Sequence, residues 1–440
     1  MNRRNFLQKS AVSAASLGLA PLIGNAYNSI YAQNAPSNKV KVALIGCRSQ
    51  GYANLNTFLD YPEVECVALC DVDDEWLNKR ADDVLKKTGK KVPNLYKDWR
   101  RVIDNKDVDA VIVGTPDHWH CLPMIWAAQA GKDVFVEKPL SNTIEESLLM
   151  VQAARKYNRV VTTGMWQRSD THWDDAANYM KAGNIGRIRT VKVWAYQDSK
   201  PTLPKKPDSN PPAGVDYDMW LGPAPKRPFN EYRFHYNFRF FWDYAGGLMA
   251  DWGVHLLDYA LEGMGVDLPP RIFSSGGKFA YPDDAMETPD TLMVTYAYKD
   301  FNIIWDHACG INHGLYDKKE GLAFFGETGT LILTRSGWEV IPVIVNNVPR
   351  MEAVPFKRCE TRGLYLHVGN FLSCIKSRQL PACDIAIGAR IAIMAQLGNI
   401  SSRLQREIYW DNESNRFIND NEANLLAKAY YRAPWELPKL

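Results

Sequence analysis

Apolar and polar positions follow two regimes along this chain. Between Val40 and about residue 163, short apolar runs recur, each followed by a stretch with helical spacing: Val40–Ile45 ("VKVALI"), "VECVALC" ending at Cys70, 108–114 ("VDAVIVG"), 133–136 ("DVFV") and 159–163 ("RVVTT"). Apolar runs of this length between helices read as strands buried on both faces, the mark of a parallel, doubly wound α/β sheet. From residue 186 onward the runs alternate instead. "RIRTVKVWAYQ", "DTLMVTYAY", "NIIWDHACG", "LAFFGETGTLIL" and "WEVIPVIV" predict the strands of one large sheet. Residues 364–440 open with a helix carrying His367 and continue into a long apolar helix over 385–404, which reads as core packing. The division expected is a first domain over 39–165 and a second over 166–440.

The first 32 residues differ from the rest. They begin with Arg3 and Arg4, continue through Phe6, Leu7 and Lys9 into a small, weakly apolar run, and contain no acidic residue. This is the pattern of a twin-arginine export signal, with cleavage after Ala26 or Ala32 and a periplasmic destination. The run is broken by Pro21 and Gly24, and no later segment reaches ~18 continuous apolar residues, so no membrane span is expected. Losing Arg3, Arg4 and Lys9 takes the formal charge from +2 to about −1. A near-neutral protein lacks the basic face that nucleic acid demands.

Composition adds little beyond this. The chain is 46% hydrophobic and 23% charged, with 14 Trp and 21 Tyr, a wealth of flat aromatic surface that suits either carbohydrate or a large core. Its eight cysteines show neither a zinc spacing nor a disulfide framework. Cys66 and Cys70 fall on one strand, roughly 13 Å apart at ~3.3 Å per residue, too far to bond.

Chemistry concentrates at strand ends. The first strand runs into Gly46-Cys47-Arg48-Ser49-Gln50-Gly51, a helix follows, and Asp71 ends the next strand 20 residues beyond Gly51. A buried strand, a glycine turn opening a helix and an acid at that distance form a dinucleotide-binding arrangement. Loop amides would take the pyrophosphate, and Asp71 the adenosine ribose hydroxyls. Arg48 stands where the middle glycine is usual, so it either folds outward or pairs with a phosphate oxygen. Three carboxylates, Asp71, Asp73 and Asp74, would repel a 2′-phosphate, which favours NAD over NADP. The later strands end in Thr115–His120, Glu137-Lys138-Pro139 and the neighbourhood of Trp166, Gln167 and Arg168. Ligands in an open parallel sheet bind outside the carboxyl ends of its strands, so these loops converge. Thr115, His120, Glu137, Lys138 and Gln167 are candidates for the cofactor, and Trp166 and Arg168 for the substrate. His118 and His120 flank a Trp without a nearby third metal ligand, and no metal is expected.

In "GGLMADWGVHLLD", Asp251 and His255 stand four apart, on one face of a helix expected over 251–264. Such a pair is either a surface hydrogen bond or two groups aimed at one spot. "TPDHWH", "EKP" and this stretch, in that order, resemble the glucose–fructose oxidoreductase/inositol dehydrogenase/MocA family. "GNIGRIRTVKVW" is similar to its entry into a second domain, and "HVGNFLSCIKSRQLPACDIAIGARIAIMAQLGNIS" and "YRAPW" to an exported bacterial branch. The resemblance implies a Rossmann domain followed by an α/β domain on a large, mostly antiparallel open sheet, whose outer face joins homo-oligomers. It further implies NAD and a sugar or polyol substrate. Lys138, Asp251 and His255 would be catalytic, His255 exchanging the hydroxyl proton with a pKa raised by Asp251, and Lys138 facing the alkoxide. NAD-dependent glycoside-cleaving enzymes share the resemblance, and a non-catalytic NAD- or sugar-binding protein is a lesser alternative; the intact "EKP" favours dehydrogenation.

Two residues stay open. Trp220, in the Pro-rich stretch after residue 198, is either a lid over the sugar or an anchor for its own loop. Arg239 either reaches cofactor or substrate or makes a structural ion pair.

Overall fold

The computed structural model describes residues 39–197 and 202–440, so the export-signal reading of residues 1–32 lies outside the described residues. Six strands build the first sheet: β1 (Val40–Ile45), β2 (Val64–Cys70), β3 (Asn94–Tyr96), β4 (Ala110–Val113), β5 (Asp133–Val136) and β6 (Val161–Thr163). All are parallel, in the order β3-β2-β1-β4-β5-β6. The strands β4, β5 and β6 are buried along their whole length, including the polar Asp133, Thr162 and Thr163, as strands covered on both faces must be.

The second sheet has ten strands. They are β7 (Thr190–Gln197), β8 (Arg271–Gly277), β9 (Thr291–Ala297), β10 (Asn302–Cys309), β11 (Glu320–Phe325), β12 (Gly329–Thr334) and β13 (Gly337–Pro342), then, after the hairpin β14 (Ile344–Val345) and β15 (Val348–Pro349), β16 (Val354–Arg358), β17 (Ile408–Asp411) and β18 (Arg416–Phe417). The order is β16-β13-β12-β11-β7-β10-β9-β8-β17-β18, antiparallel except between β7 and β10. The α/β class and both sheets thus agree with the sequence reading. Helices cover one face of this sheet, burying Val191, Val193, Leu292, Val294 and Trp305. The other face exposes Phe273, Met293, Ile341 and Tyr409. Among the described residues, no helix is long and apolar enough to cross a membrane.

The C-terminal tail packs against both domains. Its helix Gly363–Ser377 lies against the first sheet, where Phe371 meets Phe58 and Phe135 edge-on at 6.0 and 5.9 Å. Ile385, Ala389 and Ala392 of the helix Ile385–Leu404 pack into the same domain, while Ile391, Met394 and Leu397 pack against the second. That helix is apolar nearly all round because it is buried between the two.

Burial sets the acid response of the fold. Of eight histidines, His118, His120, His307 and His367 are pushed down to about 4 and His235 to about 3, and His172 and His255 are also lowered, all chiefly by loss of hydration. The same effect raises Asp71 to about 6 and Asp117 and Glu146 to about 7. As pH falls below ~6.5, the unfolded chain protonates histidines that the folded chain keeps neutral. The raised carboxyls protonate early in the folded state and offset only part of this. Stability should therefore fall on acidification, by ~1.4 kcal/mol per pH unit for each net proton. Thermal melts should show a Tm several degrees lower near pH 5 than near pH 7; an equal or higher Tm at the acid pH would contradict this.

Candidate active site

A cleft opens at the carboxyl edge of the first sheet, lined by Gly46, Arg48, Asp71, Thr115, Lys138 and Arg239 among others. Its floor exists because three glycines touch. A Cβ on Gly51 would lie 2.1 Å from the Gly46 carbonyl oxygen, and one on Gly114 would lie 2.5 Å from the Gly51 Cα. Gly46 also holds φ +88°, a left-handed conformation that glycine adopts without strain. Arg48, by contrast, is extended (φ −90°, ψ 161°), a geometry open to any side chain, so the loop works without the middle glycine.

The Arg48 guanidinium lies in the cleft wall, 4.9 Å from the Trp76 ring centroid and near Asp73, Asp71 and Glu75, with its Nη1 buried and unpartnered. Asp71 accepts from the amides of Cys47 (2.6 Å) and Asp73 (3.0 Å), which pins the acid at the mouth of the loop. Thr115 Oγ1 is a second buried polar atom in the cleft wall without a partner. The glycine cradle, the helix starting at Ser49, the pinned acid and the two orphaned groups fit a dinucleotide. The Gly46–Gln50 loop would hold its pyrophosphate, Asp71 a ribose, and Glu137 and Lys138 would flank the nicotinamide.

Part of the second domain closes over this cleft. Asp216 N–H donates to the Val72 carbonyl (2.9 Å), Lys97 Nζ to the Gly214 carbonyl (2.8 Å), and His235 Nε2 lies 3.1 Å from Asp73 Oδ2. Of the two readings left open for Trp220, the contacts are those of an anchor for its own loop. It is buried against Tyr217, Phe234 and Tyr244, its carbonyl accepts from His118 and Trp119, and it forms cleft wall.

The charged centre is built from both domains. Lys138 Nζ donates to Asp251 Oδ1 (2.7 Å) and to the Asp251 carbonyl (2.9 Å), and Arg239 Nε donates to the same Oδ1 (3.2 Å). Arg239 is thus an ion-pair partner that also lines the cleft. The single helix expected over 251–264 is two: Gly247–Asp251 and Gly253–Met264, meeting at Trp252. The ladder tightens there, His255 N–H reaching the Trp252 carbonyl three residues back. Asp251 therefore ends one helix while His255 lies in the first turn of the next.

The raised pKa expected for His255 is also corrected. Burial comes first, then the positive charges of Lys138 and Arg335; together they outweigh Asp251 and hold the imidazole well below 6.5. His255 is neutral, with Nδ1 buried and unpartnered.

Other candidates fall elsewhere. The His120 ring nitrogens face the carbonyls of Pro139 (2.8 Å) and Thr115 (2.9 Å), so His120 braces the two loops and is not among the residues that border the cleft. Arg168 is held by Asp258 (2.5 and 2.7 Å) and Glu262 (3.3 Å), which makes it a buried cross-brace to the His255 helix and not a free substrate ligand. Gln167 accepts from Arg335 (3.3 Å) and does not border the cleft; Trp166 lies beside Arg335, 5.4 Å from its guanidinium. Glu137 accepts from Asn54 (2.7 Å) and borders the cleft.

Sequence reasoning missed two residues of this centre. Asp117, within the quoted "TPDHWH", is buried in the cleft wall and pushed up to about 7 by lost hydration, against the pull of Arg239 and Lys138. Arg335, 4.6 Å from the Trp252 ring, comes from the end of β12, and no local pattern marks it.

A parallel sheet in this order, with a glycine-floored cleft at its carboxyl edge, is a dinucleotide-binding domain. The chain belongs to the Gfo/Idh/MocA oxidoreductase family: residues 40–165 match its NAD-binding Rossmann fold, and residues 191–307 and 343–437 its C-terminal alpha/beta domain. A glycosyl hydrolase family 109 protein of Shewanella baltica is 30% identical over 172 residues, 36% of this chain and 37% of its own length. Levoglucosan dehydrogenase of Pseudarthrobacter phenanthrenivorans is 38% identical over 105 residues, 24% of this chain and 27% of its own. The matches thus span between 27% and 47% of the length of the curated relatives. Among solved structures, levoglucosan dehydrogenase in complex with NADH superposes with a TM-score of 0.65 at 19% identity, covering 84% of this chain and 98% of that one. The aldose-aldose oxidoreductase from Caulobacter crescentus complexed with glycerol gives 0.64 at 18% identity, covering 84% and 99%. At these identities the likeness is one of fold.

Proposed function

We propose that this protein is an NAD-dependent dehydrogenase acting on a secondary hydroxyl of a sugar, glycoside or cyclitol. The observation that carries this reading is the Lys138–Asp251 pair at the cleft, with the neutral His255 beside it. An ammonium has three donors. Two of Lys138's go to Asp251, which leaves one N–H for a substrate oxygen and fixes its direction. His255, neutral and short of a partner at Nδ1, is ready to take the hydroxyl proton. Lys138 and Arg239 then face the negative charge that develops on that oxygen. NAD supplies the hydride-accepting ring when bound; the protein supplies position, charge and dryness. The likeness to proteins described with levoglucosan, L-sorbose and glycerol supports small polyhydroxylated substrates.

The matches to glycosyl hydrolase family 109 proteins favour one second reading, glycoside cleavage through a transient keto-sugar. A panel of sugars, cyclitols and aryl glycosides with NAD separates the two. Dehydrogenation yields NADH in step with substrate loss; cleavage releases the aglycone with no net NADH. Neither signal from any member of the panel would count against both.

The pattern at Arg3 and Arg4 supports export to the periplasm. The double substitution Arg3→Lys, Arg4→Lys should retain precursor in the cytoplasm, and normal periplasmic yield would overturn this. The segment that reaches from the second domain across the cleft suits a cofactor carried out with the folded protein. Phe273, Met293 and Tyr409 on the outer sheet face suit a homo-oligomer; a monomer by light scattering would exclude it.

A further inference from the structure

Asp170 and His172, two residues apart, meet a third side chain from far along the chain, Cys359. Asp170 precedes the helix Thr171–Lys181, His172 lies in that helix's first turn, and Cys359 follows β16. One potential ligand atom from each lies within 4.8 Å of the others. Their surroundings are arranged as metal ligands require. His172 is 4% exposed, and its Nε2 sits 3.1 Å from the Thr334 carbonyl. That contact places the proton on Nε2 and leaves Nδ1 as a bare lone pair, and Nδ1 is buried with no hydrogen-bond partner. A histidine whose far nitrogen donates to a backbone carbonyl is in the tautomer that binds metal. Asp170 is braced by the Thr361 hydroxyl (2.7 Å), and the Cys359 thiol lies 3.6 Å from that same hydroxyl oxygen.

We propose that Asp170, His172 and Cys359 form a binding site for a divalent metal of the zinc class. Sulfur, imidazole nitrogen and carboxylate oxygen together suit zinc, whereas magnesium and calcium prefer oxygen alone. On binding, the Cys359 thiol releases its proton to solvent, and thiolate, carboxylate and neutral imidazole replace metal-bound waters; no electron changes hands. Around tetrahedral zinc the ligand atoms stand ~3.3–3.8 Å apart. The trio must therefore draw in by up to ~1 Å, a movement open to Cys359 at the exit of an exposed strand. Cys359 is partly exposed, which leaves a fourth position for water. The metal would tie the end of the large sheet to the turn Trp166–Ser169, which packs against Arg335 beside His255.

Full-length mature protein, freed of metal by chelation and reloaded with cobalt(II), should show a thiolate-to-cobalt charge-transfer band at about one equivalent. Zinc should abolish that band by competition. Cys359→Ser and His172→Gln should each weaken binding at least ~10-fold. A second measurement needs no variant. Seven of the eight cysteines are buried and Cys359 is not, so zinc should slow alkylation of Cys359, read by peptide mass spectrometry. A wild type without the cobalt band, or with Cys359 alkylated equally fast with and without zinc, overturns the proposal. The trio would then be a hydrogen-bonded brace.

Discussion

His255→Ala and Lys138→Ala should each lower turnover by at least ~10²-fold, the range for general acid–base groups, while NAD affinity largely survives. The groups that would hold the pyrophosphate and ribose, the Gly46–Gln50 loop and Asp71, are other residues than these two. Asp251→Asn should cost less than His255→Ala, because the amide keeps one oxygen for Lys138. The pH profile carries a sharper test. Oxidation needs neutral His255, and burial with Lys138 and Arg335 holds it well below 6.5. The activity plateau should therefore extend below pH ~6.5, and Arg335→Met, which removes one of those charges, should move the acid limb upward. Turnover by His255→Ala near that of wild type, with fold and cofactor intact, would make this face of the helix structural.

Gly51→Ala should abolish measurable NAD binding. Its Cβ would sit 2.1 Å from a backbone oxygen, which cannot rotate away as a side chain could, so the loop must open. Gly253→Ala meets only ordinary contacts at 3.6 Å and should bind NAD as wild type does. In calorimetric titration of cofactor-free protein, NAD should bind at least ~10-fold more tightly than NADP, because a 2′-phosphate meets Asp71 and Asp73. Tighter NADP binding would show the orphaned Arg48 Nη1 reaching that phosphate, and unimpaired NAD binding by Gly51→Ala would refute the cradle.

Much of this was legible before any coordinates. Short apolar runs such as "AVIV" and "VFV", alternating with helical stretches, read as buried parallel strands, and a parallel sheet sends its loops to one edge. The glycine turn and Asp71 follow from backbone requirements a few residues long. Lys138, Asp251 and His255 came from motif order, since four-residue spacing alone left a surface pair equally open.

What the sequence could not show has a common cause. The neutral state of His255 and the raised pKa of Asp117 depend on charges and burial supplied by distant segments. Arg335 and Cys359 stand far along the chain from Asp170 and His172, without a shared period. His120 and Arg168 stood in the right loops but point to backbone carbonyls and buried acids. Local pattern determined the two sheets, the dinucleotide loop and which strand ends carry chemistry, because strand burial and tight turns are short-range demands on the backbone. Only the tertiary structure decided which polar side chains face the cleft and in what charge state, because water exclusion and Coulomb interaction act through space and not along the chain.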